Sequence, residues 1–159
     1  MIAGSVLVTG SLPDVQTAPP ALRRQARAWH DVSMMTVAVA AGLLAGAVHV
    51  GVWIAESFLW RRRAVWRAFG VEDQATANAM ASVLFNQGFY NLFLGLGAVG
   101  GAVQLGMGDS PVLLMFSCAF MTAAALVLLI TSRQWWIGSL VQGVPPAVAL
   151  AAGVSWIMA

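Results

Sequence analysis

The stretch MMTVAVAAGLLAGAVHVGVWIAESF, residues 34–58, carries one acidic side chain, Glu56, and no Arg or Lys. A helix needs about 20 apolar residues to cross the hydrocarbon core of a bilayer. This run is long enough. An open sheet is excluded at that depth because its edge N–H and C=O groups would have no partners. Three similar runs follow, at about Met80–Leu105, Pro111–Ile130 and Trp136–Met158.

The composition agrees. The 159 residues are 60% hydrophobic and only 9% charged, with mean hydropathy +0.81. A soluble domain carries roughly 25% charged residues, so this chain lacks the charge to cover a water-facing surface. Its net charge of +2 is too small for a nucleic-acid partner. The lipid bilayer is the expected partner, with a second copy or another membrane protein as further expected contacts. The lone Cys118 excludes an intrachain disulfide and reads as a small packing residue.

The expected fold class is therefore all-α: a polytopic membrane protein with a bundle of four transmembrane helices over residues 34–159. Residues 1–33 read as a poorly ordered or surface-lying arm, with a Pro-containing SLPDVQTAPP and a basic ALRRQARAWHDVS of helical potential. Met34 and Met35 also leave open a start at the first apolar run. Asp31 or Ser33 is the expected cap of the first helix, and Asp109 or Ser110 that of the third, with Pro111 in its first turn. Pro145 and Pro146 are expected to bend or split the fourth. The connections, Arg61–Ala79, Gly106–Ser110 and Thr131–Trp135, are short, so neighbouring helices run antiparallel. Gly42 with Gly46, and Gly97 with Gly101, are spaced to let helices approach closely.

Basic residues favour the cytoplasmic side. The first and third connections hold Arg61, Arg62, Arg63, Arg67 and Arg133, against Arg23, Arg24 and Arg27 in the arm. The first loop, Arg61–Arg67, is expected in the cytoplasm. Trp60, Trp66, Trp135 and Trp136 read as an aromatic belt on that side and Trp156 as its opposite number. RRRAVWR is explained by orientation, with anionic lipid as a secondary attraction.

Polar side chains in a lipid-embedded helix face the bundle interior or a wet cavity. His49 and Glu56 are seven residues apart, so they share a helix face to within roughly 20° and differ in height by about 10 Å. Trp53 lies between them. In FNQGFYN, residues 85–91, Asn86, Gln87, Tyr90 and Asn91 span an arc of roughly 140°, wider than one neighbouring helix covers. Antiparallel connection brings Asn86 and Gln87 near the level of Glu56, and Tyr90 and Asn91 near that of His49. Gln142, in VQGVPP, enters from the same side. Pro145 and Pro146 leave the carbonyls of Val141 and Gln142 without their helical donors. These side chains are expected to converge in one leaflet.

HVGVWIAESFLW, FNQGFYNLFLGLG and VQGVPPAVAL, in that order, resemble a bacterial family of small four-helix membrane proteins catalogued as domain of unknown function 1304. The resemblance runs from about Met34 to the C-terminus. It implies the four-helix fold and a multi-pass location in the bacterial cytoplasmic (inner) membrane. It implies no reaction.

Three functions suit the convergence. The amides can be structural glue between helices. Polar groups near one interface, beside Trp53 and Tyr90, can bind a small amphiphile, with ligand-binding candidates His49, Trp53, Glu56, Asn86, Gln87, Tyr90, Asn91 and Gln142. Glu56 and His49 can also form an acid–base catalytic pair. Transport by a single four-helix chain is a weaker fourth reading. No metal site is expected, because two plausible ligands fall short of the usual three, and no cofactor is implied.

Overall fold

The computed structural model describes residues 18–159. Its four long helices are α1 (Pro20–Ser57), α3 (Gln74–Gly106), α4 (Val112–Thr131) and α5 (Trp136–Met158), with a short α2 (Arg63–Ala68) between α1 and α3. A 3-10 turn, Arg133–Trp135, precedes α5. No strand occurs among the described residues. All four long helices are apolar enough, and long enough, to cross a membrane. The fold is an all-α bundle of four membrane-spanning helices.

α1 packs against α3 and α5, and α4 packs against the same two, while α1 and α4 face each other diagonally and scarcely touch. The core-facing stripes follow from residue spacing. On α1 the buried positions include Ala38, Gly42, Ala45, His49 and Glu56. On α3 they include Gly88, Asn91, Gly95, Ala98, Ala102 and Leu105. Steps of three and four keep such positions on one helix face. His49, Glu56 and Asn91 therefore occupy core positions within stripes made otherwise of Gly, Ala and Leu.

Small residues set the close approaches. A Cβ on Gly46 would lie 2.8 Å from the Gly95 carbonyl oxygen and 2.5 Å from Val99 Cγ2. One on Gly101 would collide with the backbone of Leu114, and one on Gly97 would meet Ser117 Oγ at 2.5 Å. Gly46 and Gly95 thus seat α1 on α3, and Gly97 and Gly101 seat α3 on α4. Ala38, Ala102, Leu105, Leu114, Cys118, Ala149 and Ala152 fill the end of the bundle away from the first loop.

Two expectations about boundaries are corrected, and a third is narrowed. α1 does not begin at a cap on Asp31 or Ser33: it starts at Pro20, with Pro19 as the capping residue, and continues unbroken past Met34. ALRRQARAWHDVS is a good helix former, and nothing in it stops the helix. At about 1.5 Å per residue, α1 is roughly 57 Å long, so its first turns project beyond a bilayer span. His30 Nε2 lies 3.3 Å from Ser155 Oγ and ties this extension to the end of α5. The remainder of the arm, residues 1–17, lies outside the described residues. Pro111 is the capping residue of α4 rather than its first turn, although the Ser110 hydroxyl accepts from Val112 N–H at 3.4 Å. Of the two outcomes expected at Pro145 and Pro146, a bend or a split, the split does not occur: α5 runs through both.

The first loop is more ordered than a belt of interfacial tryptophans would be. Trp60 and Trp66 are buried with Val71 and Ala77 in a small second core. Trp60 Nε1 donates to the Ala77 carbonyl at 2.8 Å. Trp66 Nε1, by contrast, is buried without a partner among the described residues. Trp136 remains exposed, as a belt residue should be. Gly70, after α2, has φ +66, and a side chain there would strike the Trp135 ring. Only glycine both turns the chain there and lets it rest on the third connection.

Candidate functional site

The core positions His49, Glu56 and Asn91 border an open space in the bundle. Between the diagonal pair α1 and α4, toward the first loop, is a cleft of about 580 Å³. α1 lines it with His49, Val52 and Glu56. α3 contributes Leu84, Gln87, Tyr90, Asn91 and Leu94. α4 offers Ala124, Ala125 and Leu128, and α5 adds Gly138, Val141 and Gln142. Trp60, Ala68, Phe69 and Trp135 cover the first-loop end. Ala45, Ala98 and Met121, one layer deeper than His49, form an apolar floor with Leu94 packed on it.

Six of the eight expected site residues meet at this cleft: His49, Glu56, Gln87, Tyr90, Asn91 and Gln142. Glu56 is 6% exposed and Asn91 7%. Asn91 Nδ2 donates to Glu56 Oε2 at 2.9 Å, joining α1 to α3, and lies 3.3 Å from its own helix at the Gln87 carbonyl. His49 Nδ1 lies 2.9 Å from the Ala45 carbonyl oxygen. A carbonyl only accepts, so Nδ1 carries a proton, and when the ring is neutral Nε2 is left as an acceptor. His49 and Glu56 are not within ion-pair distance of each other, and no Arg pairs with Glu56 among the described residues.

Two expected members stand apart. Trp53 packs edge-on against Phe58 and Phe89, with centroids 5.3 and 6.0 Å away, and does not line the cleft. Its Nε1 is buried without a partner among the described residues. Asn86 is exposed and also lies off the cleft. The reason is angular. At about 100° per residue, Trp53 is roughly 60° round the helix from Glu56, and Asn86 roughly 140° from Asn91. Once Glu56 and Asn91 point at each other, neither can follow.

Sequence reasoning missed the walls. Trp60, Phe69 and Trp135 come from the connections, where an interfacial indole and a roofing indole look alike. α4 carries no polar signal at this depth. Its hint is the run AAA at 123–125, whose short side chains leave room.

The cleft opens sideways. The closest approaches of α3 and α4 gather away from the first loop, at Gly97 and Gly101. Nearer the first loop, Tyr90 of α3 is 64% exposed, and Ala124 of α4 is exposed too. Both line the cleft. Its side mouth therefore faces the zone that lipid occupies around the bundle.

Comparison with curated proteins found no match, and neither did comparison with solved structures. A family model did match, over residues 43–154, a span that holds every cleft-lining residue named above from α1 to α5. This integral membrane chain thus belongs to the family described as Protein of unknown function (DUF1304).

Proposed function

We propose that this protein binds a small amphiphile in the cleft, with the polar end of the ligand at Glu56, Asn91, Gln87 and Gln142 and its apolar part toward Leu94 and the α3–α4 mouth. The observation that carries this reading is a 580 Å³ space walled by convergent polar side chains on one side and aliphatic ones on the other. Binding sites for small molecules are mostly apolar concavities with a few placed polar groups. The lateral mouth suits a ligand that arrives dissolved in the bilayer. The host membrane in this proposal is the bacterial cytoplasmic membrane, with the first loop on the cytoplasmic side, as the Arg bias supports.

The Asn91–Glu56 hydrogen bond favours a second reading, in which the polar groups only hold α1 to α3. Such bonds average about 0.6 kcal/mol in membrane proteins, and Gln at position 56 would supply one without a carboxylate. The acid–base reading has less support, because Glu56 and His49 make no direct contact.

Native mass spectrometry of gently extracted protein tests the proposal. The parent should carry one small-molecule adduct per chain. Ala124→Trp, which fills the mouth from an exposed position, should lose it while remaining folded. An adduct-free parent, or an adduct indifferent to Ala124→Trp, would refute binding in this cleft.

A further inference from the structure

The amphiphile reading leaves open which chemistry the ligand head carries, and the lining decides between the alternatives. It holds a carboxylate and further acceptors beside the neutral donors of Gln87, Gln142 and Tyr90, and no cation. Glu56 spends one oxygen on Asn91. His49, when neutral, presents Nε2 as an acceptor, since Nδ1 is held by Ala45. Pro145 and Pro146 leave the carbonyls of Val141 and Gln142 without helical donors, on two residues that line the cleft. No Arg lines it. Arg67 belongs to an adjoining groove, where Glu72 accompanies it. A carboxyl this buried is ionised only beside a cationic partner, and among the described residues Glu56 has none, so a charged Glu56 needs its cation from a ligand.

The remaining walls add a second feature. Trp60, Phe69, Tyr90 and Trp135 bring four aromatic side chains to the same space. Aromatic faces attract cations through the ring quadrupole, and cages of such rings with a carboxylate recognise ammonium groups. An anionic head, a phosphate or carboxylate, would find only the neutral donors of Gln87, Gln142 and Tyr90 and would stand against Glu56.

Resting on the cleft being a binding site, we infer that its ligand is a cationic amphiphile: a protonated amine or quaternary ammonium on a hydrocarbon body. The ammonium sits between Glu56 and the aromatic walls, and the body extends past Leu94 to the α3–α4 mouth. Tyr90, exposed at that mouth, is the aromatic ring a bilayer-dissolved cation meets first.

The test uses the full chain in lipid nanodiscs, titrated calorimetrically with dodecyltrimethylammonium, with dodecanol as a neutral probe and dodecyl sulfate as an anionic one. Partition into empty nanodiscs is subtracted. The inference expects saturable binding of the ammonium, with the two other probes weaker. Glu56→Gln should weaken the ammonium by about tenfold or more, as loss of one close charge partner does in a poorly solvated site. Val141→Lys keeps Glu56 and adds a fixed cation at an exposed lining position near the start of α5. It should abolish ammonium binding and spare dodecanol. This variant covers the case in which Glu56→Gln fails to fold. Dodecanol or dodecyl sulfate binding as tightly as the ammonium, with neither variant discriminating, would overturn the cationic head and leave the amphiphile site standing. Saturable binding of none of the three would overturn both.

Discussion

At the scale of single residues, the molecule depends on a few atoms that are absent. Gly46 and Gly95 allow α1 to lie directly on α3, and that contact sets the Asn91–Glu56 distance. Gly46→Ala must push Val99 and the Gly95 carbonyl aside. Overpacking of this kind costs about 1–3 kcal/mol, so this variant should melt earlier than the parent. Gly51, five residues on, has nothing within 4 Å of an added Cβ. Gly51→Ala should melt at or slightly above the parent, because alanine is the better helix former by up to about 1 kcal/mol. Equal melting of both variants in the same detergent would contradict the close α1–α3 seat. At this scale much of the polar lining of the cleft was legible: that His49, Glu56, Gln87, Tyr90, Asn91 and Gln142 meet follows from helical spacing and antiparallel depth. Trp53 and Asn86 did not join them, because which edge of a wide polar arc faces inward is decided by packing, on which spacing is silent.

Among elements, α3 begins where the chain leaves the first loop, and its start is fixed by Asp73. The Thr76 backbone N–H donates to Asp73 Oδ1 at 2.9 Å and the Thr76 hydroxyl to Oδ2 at 2.7 Å. The backbone bond first, and the hydroxyl second, hold the carboxyl below its ordinary value of 3.8. A depressed carboxylate contributes stability that is complete above the ordinary value and lost as pH falls through the lowered one. Asp73→Ala should therefore melt below the parent at neutral pH, and the gap should close as pH is taken below the carboxylate range. A gap that persists undiminished in acid would assign the effect to something other than the charged cap. This cap was not foreseen, because the apolar run that marks the helix begins later, near Met80. The first turns of α3 lie above the span and carry polar residues such as Gln74 and Asn78. For the same reason α1 outruns its apolar segment at the other end. Hydropathy marks what crosses the bilayer; caps and breakers mark where a helix stops, and neither Asp31 nor Ser33 is a breaker.

For the whole molecule, the four runs and short connections were enough to specify an antiparallel bundle. They did not specify that α1 and α4 would be the diagonal pair, which depends on how small residues seat each helix, and it is this diagonal that leaves the cleft. Its orientation in the bilayer has its own test. Ala64, on α2, is exposed. In a Cys118→Ala background, Ala64→Cys should resist an impermeant maleimide in intact cells and react after lysis. Labelling of intact cells would place the first loop, and the cleft beneath it, on the other side.

The central claim is that the Glu56 carboxylate serves a ligand and not merely the packing of α1 on α3. Glu56→Gln keeps the size of the side chain and an oxygen for Asn91 Nδ2. If the group only packs, the variant should fold and function as the parent does. The account predicts a split: melting within a few degrees of the parent, or above it once a buried charge is gone, together with loss of the wild-type phenotype. The decisive measurement is complementation of a deletion strain by Glu56→Gln at equal folded abundance in the membrane. Failure to complement is the predicted result, and full complementation would contradict the account.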